Sequence, residues 1–192
     1  KGPTGEVITA LGDGVNMQGI FVYTEDNKNY TPSSVILPET LKTIGKWSFA
    51  LNAALTYEAD MTEITLPYGL ESIGQTAFQN AKLTAVYLPD SVVSLGSGAF
   101  TGNADLTSLK LSAGLTEIPS GAFNAGTATD MQLGSLVVPE GIVEIASNAF
   151  FGTHITSLTL PSTLEEIGSS AFQNHQLKEL VIPGSVTKIG NY

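Results

Sequence analysis

One pattern recurs along almost the whole chain at spacings that do not slip. With the proline as position zero, it is Pro38, Pro67, Pro89, Pro139, Pro161 and Pro183, with Ser112 standing in once. Three residues on come Leu41, Leu70, Val92, Leu115, Ile142, Leu164 and Val186. Six on come Ile44, Ile73, Leu95, Ile118, Ile145, Ile167 and Ile189, and eleven on come Phe49, Phe78, Phe100, Phe123, Phe150 and Phe172. Alanine precedes each of these phenylalanines except Phe49, which follows Ser48. The step between units is looser: 22 residues three times, then 23, 27 and 29, and all the extra residues fall between the phenylalanine and the next strand. A rigid half and an insertion-tolerant half are what stacked repeats produce, because insertions are confined to a surface loop.

Before each proline runs a short alternating segment, such as Leu83, Val86 and Leu88 or Ile155, Leu158 and Leu160, with Thr, Ser, Glu, Lys and an occasional Tyr between. The last two apolar residues of each set are two apart, the period of a strand with one buried face. Proline has no N–H to give to a ladder, so it ends the strand. The spacing after it, closing on Gly-x-x-Ala-Phe, predicts an irregular run ending in a short helical turn with the Phe turned inward. One unit cannot bury its own apolar residues, but neighbours stacked about 4.8 Å apart can. The fold class is therefore a repeat solenoid, with a parallel β-sheet on one face and short helical turns or irregular segments on the other. The phenylalanine column is core.

The chain of 192 residues reads as one continuous solenoid in two parts. Residues 35–192 hold six full units and a truncated seventh. Residues 1–34 read as a degenerate half-repeat cap, because Ile8, Leu11, Gly12, Gly14 and Val15 fit the offsets if Gly5 takes the proline's place. Within that cap, Gly19–Tyr23 is strand-like and Thr24–Asn29 is a polar turn, so a hairpin returns through Tyr30. Insertions fall at Asn52–Asp60 and Asn124–Gln132. Lys1-Gly2-Pro3 reads as a trimmed start, and a stop partway through a repeat predicts a piece of something longer.

Charge and composition exclude several partners. A net charge of −10, with only 8 basic residues, argues against nucleic acid and anionic membranes, which need clustered Lys and Arg. With no cysteine there is no disulfide framework and no thiolate metal site. No apolar run approaches the ~20 residues needed to span a bilayer, so no membrane insertion is expected of this segment.

Catalytic and cofactor chemistry find little to stand on. His154 and His175 are the only histidines and occupy successive loops at different offsets, a weak metal signal against exposed loop residues. Glu25, Asp26, Asn27 and Asn29 lack the alternating oxygens, glycine and terminal Glu of a calcium loop, so a turn is the better reading. No Ser sits in a Gly-x-Ser-x-Gly elbow, and the glycines at offset seven belong to the repeat turn rather than to a phosphate cradle. Trp47 either plugs the cap or presents an aromatic contact. Neither an enzyme nor a cofactor site is expected.

What remains is surface. The outward strand positions form a grid, mostly small and hydroxylated, and its candidate ligand-binding members are Thr65, Thr84, Tyr87, Ser108, Lys110, Ser135, Ser157 and Glu179. Tyr87 and Lys110 are the most distinctive. Such a face can hydrogen-bond a protein or a glycan, or can simply be soluble strand, and the insertion loops are the alternative binding surface.

The pattern Leu-x-Leu-Pro-x-x-Leu-x-x-Ile-Gly-x-x-Ala-Phe resembles the BspA-like (Treponema pallidum type) leucine-rich repeats over roughly residues 35–190. The paired Leu-Pro and Ala-Phe anchors separate it from ordinary leucine-rich repeats. Several units are one residue shorter than that family's usual length, and the Asn that often follows the Phe comes irregularly, as Asn80, Asn103 and Asn174. The resemblance implies a right-handed leucine-rich-repeat-like coil. It also implies a bacterial cell-surface or secreted protein acting in adhesion to host or microbial macromolecules. The alternative is a structural spacer that presents other domains.

Overall fold

A computed structural model describes residues 10–11, 23–25, 28–30, 35–51, 56–57, 62–126 and 131–192. In the first part of the chain the strands are β1 (Ala10–Leu11), β2 (Tyr23–Glu25), β3 (Lys28–Tyr30), β4 (Thr43–Ile44), β5 (Thr56–Tyr57), β6 (Ser72–Ile73), β7 (Ala85–Tyr87) and β8 (Ser94–Leu95). The rest are β9 (Ser108–Lys110), β10 (Glu117–Ile118), β11 (Gly134–Val137), β12 (Glu144–Ile145), β13 (Ile155–Thr159), β14 (Glu166–Ile167) and β15 (Lys188–Ile189). The chain is a parallel β-solenoid. Its repeat columns are the core: among the described residues the offset-three and offset-six aliphatics from Leu41 to Ile167 are all buried.

The phenylalanines stack as a column. Successive rings from Phe49 to Phe172 have centroids 4.9, 5.0, 5.4, 5.4 and 5.4 Å apart, with planes within 6° of parallel. Phe78, Phe100, Phe123 and Phe150 are wholly buried and Phe172 partly so. Each buried ring contributes about 1.5–3 kcal/mol by its area.

Three details differ from the sequence reading. First, the turn that carries Ala-Phe is not helical. Position nine has a left-handed backbone in all six units: Trp47, Thr76, Gly98, Gly121, Asn148 and Ser170, with φ between 50° and 64°. One residue there ends any right-handed helix. The turn is instead bonded from coil to coil: Phe78 N–H donates to Ala99 O at 2.7 Å and Phe100 N–H to Ala122 O at 2.8 Å.

Second, the longest-running ladders lie after the proline, at offsets five and six, as β1-β4-β6-β8 and β10-β12-β14-β15. The strands before the proline form two separate pairs, β7-β9 and β11-β13. The 27-residue step into β11, with Gly134 left-handed (φ 69°) and a register shift beside it, separates them.

Third, both four-stranded ladders stop at one seam, between β8 and β10. At offset seven, Gly74, Gly96, Ala146, Gly168 and Gly190 each donate an N–H to the preceding coil's offset-six carbonyl. In the seam that residue is Pro119, which has no N–H. The glycines at this offset have a steric role as well. A Cβ on Gly96 would lie 2.2 Å from Gln75 N, so the coils approach here backbone to backbone.

Ser112, at the usual proline position, makes a bond between coils. In three other units an offset-two hydroxyl reaches back to the preceding coil's offset-three carbonyl: Ser91 Oγ to Leu70 O at 2.6 Å, Thr163 Oγ1 to Ile142 O at 2.8 Å and Ser185 Oγ to Leu164 O at 2.6 Å. In the Ser112 unit, offset two is Gly114, whose Cβ would meet Asp90 O at 2.5 Å. Ser112 Oγ takes over the bond, to Val92 O at 2.7 Å.

Near the start, Ala10 and Leu11 pair with Thr43 and Ile44, so Leu11 sits level with an offset-six residue. The hairpin pairs Tyr23 with Tyr30 and Glu25 with Lys28, which makes Thr24, Glu25, Lys28 and Asn29 strand rather than turn. Its second strand also pairs in parallel with β5, inside the Asn52–Asp60 insertion. Ile8, Gly12, Gly14, Val15, Asp26, Asn27 and 127–130, on which the cap, turn and insertion readings also rest, lie outside the described residues.

Candidate functional site

The sheet-face candidates divide into groups. In β7-β9, Ala85 stands opposite Ser108 and Tyr87 opposite Lys110. Tyr87 is 58% exposed, and its Oη lies 3.0 Å from Ser108 Oγ in a hydrogen bond. Lys110 Nζ lies 3.1 Å from Asp90 Oδ1. Asp90 also accepts the Ala113 N–H at 3.2 Å, and that bond, followed by Lys110, lowers its carboxyl below the ordinary range. Thr84 is half-buried and joins coils, its N–H and Oγ1 donating to Thr62 O at 2.8 and 3.1 Å.

Those two Thr84 bonds are the only hydrogen bonds between residues 62–66 and residues 84–88 among the described residues. Past them the coils part and a hollow of about 340 Å³ opens. It is lined by Ile64, Thr65, Leu66, Tyr68, Tyr87, Leu88, Pro89 and Lys110. The fold therefore gathers Thr65, Tyr87 and Lys110 into one concavity, with Ser108 bracing Tyr87.

Other candidates lie apart from it. Ser135 and Ser157 face each other in β11-β13, both exposed. Glu179 is exposed in the last coil, outside any strand.

Tyr68 and Asp90 were not among the sequence candidates. Tyr68 is 89% exposed, one residue after Pro67, where the other units carry Glu39, Asp90, Ala113, Glu140, Ser162 and Gly184. A lone aromatic in a column of acidic and small residues is the signal that marks it. Asp90 shares that column with Glu140, whose carboxylate accepts the Ser162 N–H at 3.1 Å. The acidic residue thus caps the next coil's turn.

The histidines serve their loops. His154 Nδ1 lies 2.9 Å from Gln132 Nε2, and His175 Nδ1 accepts the Leu177 N–H at 3.0 Å. Among the described residues no group of three His, Cys, Asp or Glu could hold a metal. Trp47 is half-buried, with Lys46 Nζ 5.6 Å from its ring centroid. On the other face Glu117, Glu144, Glu166 and Lys188 stand in register. Lys188 pairs with Glu166, whose hydrogen bond raises the lysine's pKa. Among the described residues no helix is long and apolar enough to cross a membrane.

The fold and the repeat columns define a parallel solenoid repeat protein. The model of the BspA type leucine rich repeat region matches six copies, over residues 27–133 and 127–192, and the chain belongs to that family. Solved structures agree on the fold. A leucine-rich repeat protein from Bacteroides ovatus is 21% identical, with a TM-score of 0.66, over 95% of this chain and 56% of that one. The T. pallidum leucine rich repeat protein is 21% identical (TM-score 0.55), over 85% of this chain and 79% of its own. A leucine rich cell surface protein from Faecalibacterium prausnitzii is 24% identical (TM-score 0.52), over 84% and 54%. The chain spans about half the length of the Bacteroides ovatus protein and of a similar one from Eubacterium ventriosum, 56% and 45%. No curated protein matches it.

Proposed function

We propose that the chain is a non-enzymatic recognition module, displayed at a bacterial cell surface or secreted, that binds a protein or glycan of a host or another microbe through its sheet face. One observation carries this reading. The distinctive side chains of the face, Tyr87 and Lys110, meet at a hollow and are held there by Ser108 and Asp90. Side chains braced in the free protein lose less freedom on binding. Membership of the BspA-type family and the surface location named for the Faecalibacterium prausnitzii relative support the placement.

The test is an array of glycans and extracellular-matrix proteins probed with the chain and with its Tyr87→Ala/Lys110→Ala variant. Binding that falls at least roughly tenfold in the variant supports the proposal. Binding unchanged by the double substitution removes the sheet face, and the absence of any binding favours a spacer.

A further inference from the structure

We infer that the hollow between residues 62–66 and β7 is a carbohydrate site that takes a neutral pyranose ring, with Tyr68 and Tyr87 as its apolar surfaces. This rests on the sheet-face reading and narrows it to one hollow and one ligand chemistry.

Size comes first. A hollow of about 340 Å³ sits at the lower end of small-ligand clefts, roughly 300–1,000 Å³. Around it, the neighbouring sheet positions Thr84, Ala85, Thr107 and Ser108 are small. A protein partner needs about 800 Å² on each side and central aromatic or Arg anchors. Among the described residues of coils 62–126 the exposed tyrosines, Tyr68 and Tyr87, both line the hollow, so recognition there is local.

Chemistry comes second. Tyrosine presents an apolar face and a polar tip. A pyranose is divided in the same way, with C–H groups on its faces and hydroxyls around its edge. Two exposed tyrosines line the hollow, and the Thr65 hydroxyl, the Lys110 ammonium and the Asp90 carboxylate beside it supply donors and acceptors. Hydroxyl groups can use both kinds.

Charge decides between neutral and anionic sugars. Among the described residues Lys110 is the one cation lining the hollow, and it is paired with Asp90 at 3.1 Å. The pair is neutral and the chain carries −10. A sulfated or polyuronic chain would meet no net positive field.

The test is a titration of the 192-residue chain with neutral tetrasaccharides of glucose, galactose, mannose and N-acetylglucosamine, and with a heparin tetrasaccharide, read by the tyrosine ring NMR signals. At least one neutral probe should bind with a Kd near the millimolar range expected for one or two rings, about 1 mM. Tyr68→Ala and Tyr87→Ala should each weaken it at least roughly tenfold, while Tyr68→Phe, which keeps the ring, should hold most of the affinity. Unchanged melting temperatures confirm that the variants are folded. Tighter binding of heparin, no binding of any neutral probe, or binding unaffected by either Ala variant overturns the inference. If the array finds a protein ligand lost in Tyr87→Ala/Lys110→Ala while every sugar fails, the sheet-face reading stands and the carbohydrate site does not.

Discussion

The side-chain oxygen of Asn103 accepts the Leu83 N–H at 3.0 Å, from one coil to the coil before it. The same amide donates to Phe78 O at 2.9 Å and to Phe100 O at 2.7 Å, and Asn103 is wholly buried. Backbone groups on either side of two stacked phenylalanines are thus satisfied by one side chain. In a later coil Thr153 does part of this work, its Oγ1 donating to Phe150 O at 2.8 Å.

Asn103→Ala leaves those buried groups without their partner. A buried unsatisfied group costs about 1–3 kcal/mol. Denaturant unfolding should show a loss of roughly 2–4 kcal/mol, with the slope unchanged. A loss below the ~0.5 kcal/mol typical of surface sites would show the network to be dispensable.

Gly96→Ala and Gly184→Ala form a matched pair. A Cβ at Gly96 meets Gln75 N at 2.2 Å and the Gly74 carbonyl carbon at 2.5 Å, both backbone, while one at Gly184 meets nothing within 4 Å. Thermal unfolding should place the first about 1–3 kcal/mol below the parent, as for other overpacked sites. The second should lie within about 0.5 kcal/mol of it. Equal effects would refute the backbone contact between coils.

Asp90 gives a pH signature. The Ala113 N–H and Lys110 favour its charged form, so its folded pKa lies below its unfolded value, near 3.9. A depressed carboxylate adds stability above the unfolded pKa and loses it as pH falls through the folded one. The window is therefore acidic, below about pH 4. An NMR titration should show Asp90 among the last carboxylates to protonate, with the Ala113 amide shifting at the same pH. In Asp90→Asn that amide should no longer follow the pH. An Asp90 midpoint at or above the ordinary value would contradict the pairing.

The core was legible because every coil repeats it: the fixed offsets of Leu41, Ile44 and Phe49 mark a column before any coordinate is known. The turn differs from the helical expectation because the residue that decides lies at offset nine: Gly98, Gly121 and Asn148 favour the left-handed backbone, but Trp47, Thr76 and Ser170 in the same column hide the signal. The seam could have been found, since Pro119 is a proline at a ladder position. For the site, Tyr87 and Lys110 were read from their alternation. Tyr68 was not, because it lies beyond the proline, outside the strand grid. The hollow itself follows from where two coils part, which no single repeat encodes.

Coils stacked through one aligned phenylalanine column form the body of the protein, on which the exposed sheet face is carried. Phe100→Ala, followed by thermal and urea unfolding, tests it most directly. With both neighbouring rings 5.0 and 5.4 Å away and no exposure, the substitution should cost about 3–5 kcal/mol and lower the melting temperature by several degrees. A melting temperature and midpoint equal to those of the parent would contradict the account.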